Sequence, residues 1–264
     1  MKLLQFQGTI ILLLLSIILI TTIGLIDLSN SLALAWTHPQ TLISQIPSTP
    51  TRKPIPPNDT VAGGDLDPSN SCGSPKQPLT ALAPRKNPVS PESPLLTIEE
   101  HPTFLFYIPY NLEQASVGKF SLLVWPGDTS RLYGDEFTLS ETPGIVSLRI
   151  PSKYALKENQ IYRWRFKLYC GTDRDSRKSL DVWGLVQRVA RTTERENLVN
   201  KVRPDIWYDA LAQLAEDLRD SQTEDKNTLR NQWIELLEFL ESEDVDLEEF
   251  IKAPLVGSVR LTEE

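Results

Sequence analysis

Ile161-Tyr162-Arg163-Trp164-Arg165-Phe166-Lys167-Leu168-Tyr169-Cys170 decides how the rest of the chain is read. Tyr162, Trp164, Phe166, Leu168 and Cys170 share one parity, and Arg163, Arg165 and Lys167 share the other. Side chains alternate across a strand, so the aromatic set belongs to a core and the basic set to an outer sheet face. Outward from this strand, short apolar runs recur at Leu96–Glu99, Thr103–Ile108, Lys119–Val124, Glu136–Leu139, Ile145–Ile150 and Asp181–Val189. Turn residues separate them, among them Pro126-Gly127-Asp128, Gly134-Asp135 and Pro143-Gly144. Many short strands punctuated this way predict an Ig-like antiparallel β-sandwich over residues 95–191. In Thr103–Ile108 both parities are apolar, which predicts a strand covered on both faces.

Beyond this β region the period changes to helical. Trp207, Ala210, Leu211, Leu214 and Leu218 recur at helix spacing within about Asp205–Asp220, and Leu229, Trp233, Leu236, Leu237 and Leu240 do so within about Lys226–Glu241. A shorter helix from Thr193 precedes them, with Thr193 and Glu196 spaced as a capping box, and a short turn over Asp246–Ile251 follows. Residues 192–255 therefore read as a helical hairpin resembling one tetratricopeptide unit. A lone unit needs something to cover its apolar stripe, and the chain's own β core is the simplest cover. Residues 256–264 read as a disordered tail.

The N-terminal end carries a different message. Lys2 precedes an apolar run from Ile10 to Ile20, and Ala33-Leu34-Ala35 places small residues where a signal peptidase inspects them. Residues 1–35 read as a secretory signal, with an uncleaved membrane anchor as the alternative. The expected location is therefore periplasmic or secreted. Of the 20 prolines, 13 fall between Pro39 and Pro94, in a stretch almost without aromatic residues after Trp36. Such a composition buries too little to offset its ordering entropy, so residues 36–94 are expected to form a disordered spacer. Cys72 and Cys170 are the only cysteines. In an oxidising compartment they are expected to pair, tying the spacer to the β core, with two free thiols as the alternative.

Charge is uneven. Residues 36–204 hold 21 basic and 17 acidic side chains, and residues 205–264 hold 5 and 17. An acidic C-terminal stretch argues against a nucleic-acid partner, which needs a dense basic surface. Two candidate binding surfaces follow: the basic strand face of Arg163, Arg165 and Lys167, and the acidic helices with Asp209, Glu216, Glu235 and Glu238. A solvated sheet face and a solvated helix face are the plainer readings of both.

Catalytic machinery is poorly provided for. The two histidines are His38 and His101, and the sequence has no Cys-x-x-Cys, Gly-x-Ser-x-Gly, phosphate-binding or dinucleotide motif. No metal or cofactor is expected. Paired carboxylates need no such motif, and Glu99, Glu100, Asp135, Glu136 and Asp181 lie near expected strands.

Placed in order, several segments carry a family resemblance: Leu79-Thr80-Ala81-Leu82, Glu100-His101-Pro102-Thr103-Phe104, Tyr107-Ile108-Pro109-Tyr110 and Thr142-Pro143-Gly144-Ile145-Val146-Ser147-Leu148. Tyr162-Arg163-Trp164 leading to Cys170, Gly184-Leu185-Val186-Gln187-Arg188-Val189, Ile206-Trp207-Tyr208-Asp209-Ala210-Leu211, Trp233 and Ala253-Pro254-Leu255 complete the set. The chain resembles the cyanobacterial family known as domain of unknown function 928 over roughly residues 70–255. That resemblance implies an exported protein without assigned catalytic residues. The expectation is a non-enzymatic binding or scaffold protein acting on an envelope or secreted protein partner, with membrane contact only through an uncleaved signal. The alternative is a cell-wall or polysaccharide-binding protein or a carboxylate-dependent glycan hydrolase.

Overall fold

The computed structural model describes residues 54–62, 72–128, 130–171, 178–220, 225–240 and 245–261. The expected signal and the first part of the expected spacer lie outside them. Among the described residues nine strands and four α-helices follow in chain order. The strands are β1 (Thr80–Ala81), β2 (Leu95–Thr97), β3 (Thr103–Ile108), β4 (Val117–Trp125), β5 (Arg131–Thr138), β6 (Gly144–Arg149), β7 (Ile161–Tyr169), β8 (Ser179–Arg188) and β9 (Leu255–Arg260). Between β8 and β9 come α1 (Thr193–Asn200), α2 (Trp207–Asp220), α3 (Lys226–Leu237) and α4 (Leu247–Lys252).

Two sheets form, in the orders β1-β3-β6-β9 and β2-β8-β7-β4-β5. Both are mixed, because β2 runs parallel to β8 and β9 parallel to β6. This departs from the purely antiparallel arrangement expected. The extra parallel strands are short edge pieces, whose direction no local pattern encodes.

The inner faces meet through aromatic rings, as the alternation in β7 requires. Phe106 of β3 stacks on Phe166 of β7 with ring centroids 4.2 Å apart, and Phe104 touches Phe120 and Trp164 at 5.1 and 5.8 Å. Trp164 is close enough to β8 to require glycine opposite it: a Cβ on Gly184 would lie 2.5 Å from Trp164 Cζ2. Burial of each such aromatic contributes about 2–3 kcal/mol of transfer free energy.

β3 is covered on both faces. Phe104 and Phe106 look inward, while Tyr107 meets Phe250 of α4 at 5.1 Å on the other side. The helices thus cover the outer face of the four-stranded sheet. Trp207, Leu211, Leu214, Trp233, Leu236 and Phe250 join the same buried cluster as the strands, so the helical stripe is closed by the chain's own β core. Two polar ties fix the start of α2. The Trp207 indole donates to Leu82 O at 2.9 Å, and the Trp164 indole donates to the Tyr208 hydroxyl at 2.7 Å.

Three expectations require correction. The spacer is ordered where it is described. Asp59 pairs with Trp183 at the edge of β8, Val61 pairs with Thr80, and Ile55 packs against Trp125, Ile161 and Leu185. Buried Asn58 accepts from Leu185 N and donates to Pro84 O, each at 2.8 Å. The strap is held by backbone pairing and one asparagine, which hydrophobicity does not register. Second, residues 255–260 form β9 rather than a tail, with Ile145 opposite Leu255 and Leu148 opposite Val259. Third, the cap of α1 is Thr192, whose hydroxyl accepts from Arg195 N at 3.3 Å, one residue before the expected position.

Cys72 and Cys170 form a disulfide across a sequence separation of 98, with their Cα atoms 4.8 Å apart. It joins the end of β7 to the segment leading into β1.

Candidate functional site

The parity of β3 and β6 determines what the outer face of the four-stranded sheet presents. Thr103 pairs with Arg149, and Leu105 with Ser147, so Thr103, Ser147 and Arg149 project from the same side. Over part of this face α2 does not close down. Its core stripe is spent on Trp207, Leu211 and Leu214, and the flank carrying Asp209, Ala212, Gln213, Glu216 and Arg219 is left facing the gap.

Two adjoining cavities result, of about 490 and 670 Å³. His101, Thr103, Arg149, Ala212 and Glu216 line both, so together they make one groove. The smaller cavity extends toward Glu99, Arg191 and Glu196. The larger extends past Arg219 toward Ser147 and Ser258 of β9. Such volumes suit a small molecule.

At the first end, Asp209 is 8 % exposed. Its carboxylate accepts from Ile98 N at 3.2 Å and from the Thr97 hydroxyl, which ties α2 to β2. Burial nevertheless dominates and pushes its pKa up to about 6, with the neighbouring Glu99 charge adding to the rise. Oδ1 of Asp209 is buried without a partner among the described residues, and so is Nε2 of His101. A buried polar atom without a partner costs about 1–3 kcal/mol, which makes both atoms receptive to an incoming group.

The other end is basic. Arg219 donates to the Ser147 hydroxyl. Partial burial holds the Arg219 guanidinium below the usual arginine range, and the charges of Glu216 and Asp220 oppose that shift. Arg149 has no side-chain hydrogen bond or ion pair among the described residues. Arg191, by contrast, is engaged by Glu99 at 2.6 Å and Glu196 at 3.2 Å. No described group of three His, Cys, Asp or Glu side chains is arranged to hold a metal ion.

The surfaces expected from the sequence fare differently. Arg163, Arg165 and Lys167 do share the outer face of the five-stranded sheet, but acids already compensate them. Arg165 donates two bonds to Asp181 at 3.0 and 2.7 Å, Lys167 lies 3.7 Å from the same carboxylate, and Arg163 pairs with Asp128. Arg163 also lies between the Trp125 and Trp183 rings, 5.9 and 5.8 Å from their centroids. Of the four acids expected on the helices, Glu235 and Glu238 are exposed on α3 and its following turn, beside half-exposed Phe239. Asp209 and Glu216 line the groove instead. His101, Thr103, Ser147, Arg149 and Arg219 were not expected as site residues. The spacing of Asp209, Gln213, Glu216 and Arg219 on one helical flank was the signal that could have drawn attention to this side of α2.

These features define a mainly β protein of two mixed sheets whose C-terminal helices build a polar groove against one of them. The chain belongs to the family described as Domain of Unknown Function (DUF928), whose model matches residues 61–255. No curated protein and no solved structure matches it.

Proposed function

We propose that the chain is an exported, non-enzymatic binding protein that holds a small polar ligand in the groove between α2 and the outer face of the β3–β6 pair. The observation that carries this reading is the groove itself. Arg149, without a side-chain partner among the described residues, Glu216 and His101 sit at its centre, and the buried Oδ1 of Asp209, likewise without a partner among them, sits at one end. The Cys72–Cys170 disulfide supports an oxidising, extracytoplasmic setting. The compensated stripe of Arg163, Arg165 and Lys167 offers less to a ligand, because a partner would first have to displace Asp181 and Asp128.

Equilibrium dialysis tests this reading. The full chain, as exported by an expressing cell, is dialysed against a low-molecular-mass envelope extract, and retained compounds are identified by mass spectrometry. Arg149→Glu should abolish retention and Arg165→Glu should preserve it. Retention lost only with Arg165→Glu, or no retention at all, contradicts the proposal.

One observation favours a second reading, carboxylate-dependent glycan hydrolysis. Asp209 and Glu216 share the groove, and Asp209 has the raised pKa of a general acid. Asp209, however, spends one oxygen anchoring β2, and no Trp, Tyr or Phe lines either cavity among the described residues. Release of reducing ends from cell-wall polysaccharide by wild type, lost in both Asp209→Asn and Glu216→Gln, would favour this reading over binding alone.

A further inference from the structure

The groove is electrically polarised along its length. At one end stands Asp209, more than nine-tenths buried, its Oδ1 in need of a donor. Glu99 and Glu196 lie nearby but are engaged by Arg191, so among the described residues Asp209 carries the uncompensated negative charge there. At the other end Arg219 stands among the hydroxyls of Ser147 and Ser258, and Arg149 and Thr103, which line both cavities, reach it from the centre, donors suited to an oxyanion. A ligand that satisfies the whole groove must bring a cationic donor to one end and an anionic acceptor to the other. A uronic-acid sugar brings only the second.

The span sets the ligand's size. Asp209 and Arg219 are ten residues apart on α2, about 15 Å along its axis at 1.5 Å per residue. The side chains reach into the groove and shorten that distance. An extended chain advances about 3.3 Å per residue, so roughly three residues bridge the two ends.

We infer that the groove binds a short peptide with free termini, its ammonium group at Asp209 and its carboxylate at Arg219 and Arg149. This inference rests on the proposed reading of the groove as the ligand site. Binding requires no bond to form or break. Both termini contribute through charge-assisted hydrogen bonds, so blocking either one removes a full set of partners.

Titration calorimetry of the full exported chain separates the possibilities, with trialanine, N-acetyl-trialanine, trialanine amide and a galacturonic acid trimer as probes. Trialanine should bind, and each blocked form should bind at least tenfold more weakly. Arg149→Ala, which removes a side chain without a partner among the described residues and leaves the core intact, should weaken trialanine at least tenfold without changing the melting temperature. Failure of trialanine to bind, or equal binding of its blocked forms, overturns the peptide inference. Binding of the galacturonate trimer alone, abolished by Arg149→Ala, also overturns it while leaving the groove as a ligand site. Binding of any probe that Arg149→Ala leaves unchanged overturns the reading of the groove as well.

Discussion

Replacing Asp209 with Asn should remove a pH-dependent component of stability that the fold builds in at the start of α2. Burial raises the carboxyl from its ordinary value of 3.8 to about 6. The folded state therefore holds this proton more tightly than the unfolded chain does. The stability it contributes is fully present below about pH 4 and lost as the pH rises through 6. A shift of roughly two units corresponds to about 3 kcal/mol at 1.36 kcal/mol per unit. Asn has the same shape, can accept from Ile98 N, and does not titrate. Urea unfolding followed by the fluorescence of buried Trp164, Trp207 and Trp233 would be measured for both proteins from pH 4 to 8, with the disulfide intact. Other groups facing this site, including Glu99, His101, Arg191, Glu196 and Glu216, contribute to both proteins, so the difference between the two curves isolates Asp209. That difference should change by about 3 kcal/mol, wild type losing ground to Asp209→Asn mainly between pH 4 and 6. Parallel curves would refute the claim that burial governs this carboxyl.

Three further outcomes follow from the architecture. Opening the Cys72–Cys170 disulfide releases a loop of 98 residues, and the chain-entropy model puts the loss at about 4–5 kcal/mol, measurable as a lower urea midpoint for the Cys72→Ala/Cys170→Ala double variant. Tyr208→Phe leaves the buried Trp164 indole N–H without its acceptor and should cost about 1–3 kcal/mol by the same assay. Arg165→Ala breaks a half-exposed pair with Asp181 and should change stability by less than about 1 kcal/mol, an effect that shrinks further in high salt.

How far the sequence could be read depended on whether a segment's role lay in its side-chain period. β3 and β7 were legible because alternation encodes which face is buried, and α2 and α3 because Trp207, Leu211, Leu214, Trp233 and Leu236 repeat at helical spacing. The Asn58–Ala62 strap and β1 were not legible. They hold through backbone pairing at sheet edges, and their prolines and polar residues look like a spacer. β9 is six residues long, and its parallel pairing with β6 depends on a partner more than 100 residues earlier. The groove was hidden for a related reason. Its residues come from β3, β6, α2, β9 and the segment between β2 and β3, so no local spacing brings His101, Arg149 and Arg219 together. Asp209 was read as a surface acid because one helix turn cannot show which neighbours will cover it. The Arg163-Arg165-Lys167 stripe was placed correctly on an outer face, but Asp181 and Asp128, which neutralise it, sit on β8 and in the turn after β4.

The most direct test of the central claim is to map ligand contact by amide chemical shift. The ¹⁵N-labelled full chain is titrated with trialanine and, separately, with the galacturonic acid trimer. Shifts should concentrate at Thr103, Ser147, Arg149, Ala212, Gln213 and Glu216 with at least one probe. Shifts confined to Arg163, Arg165 and Lys167 or to Glu235–Phe239, or no shifts with either probe, would contradict it.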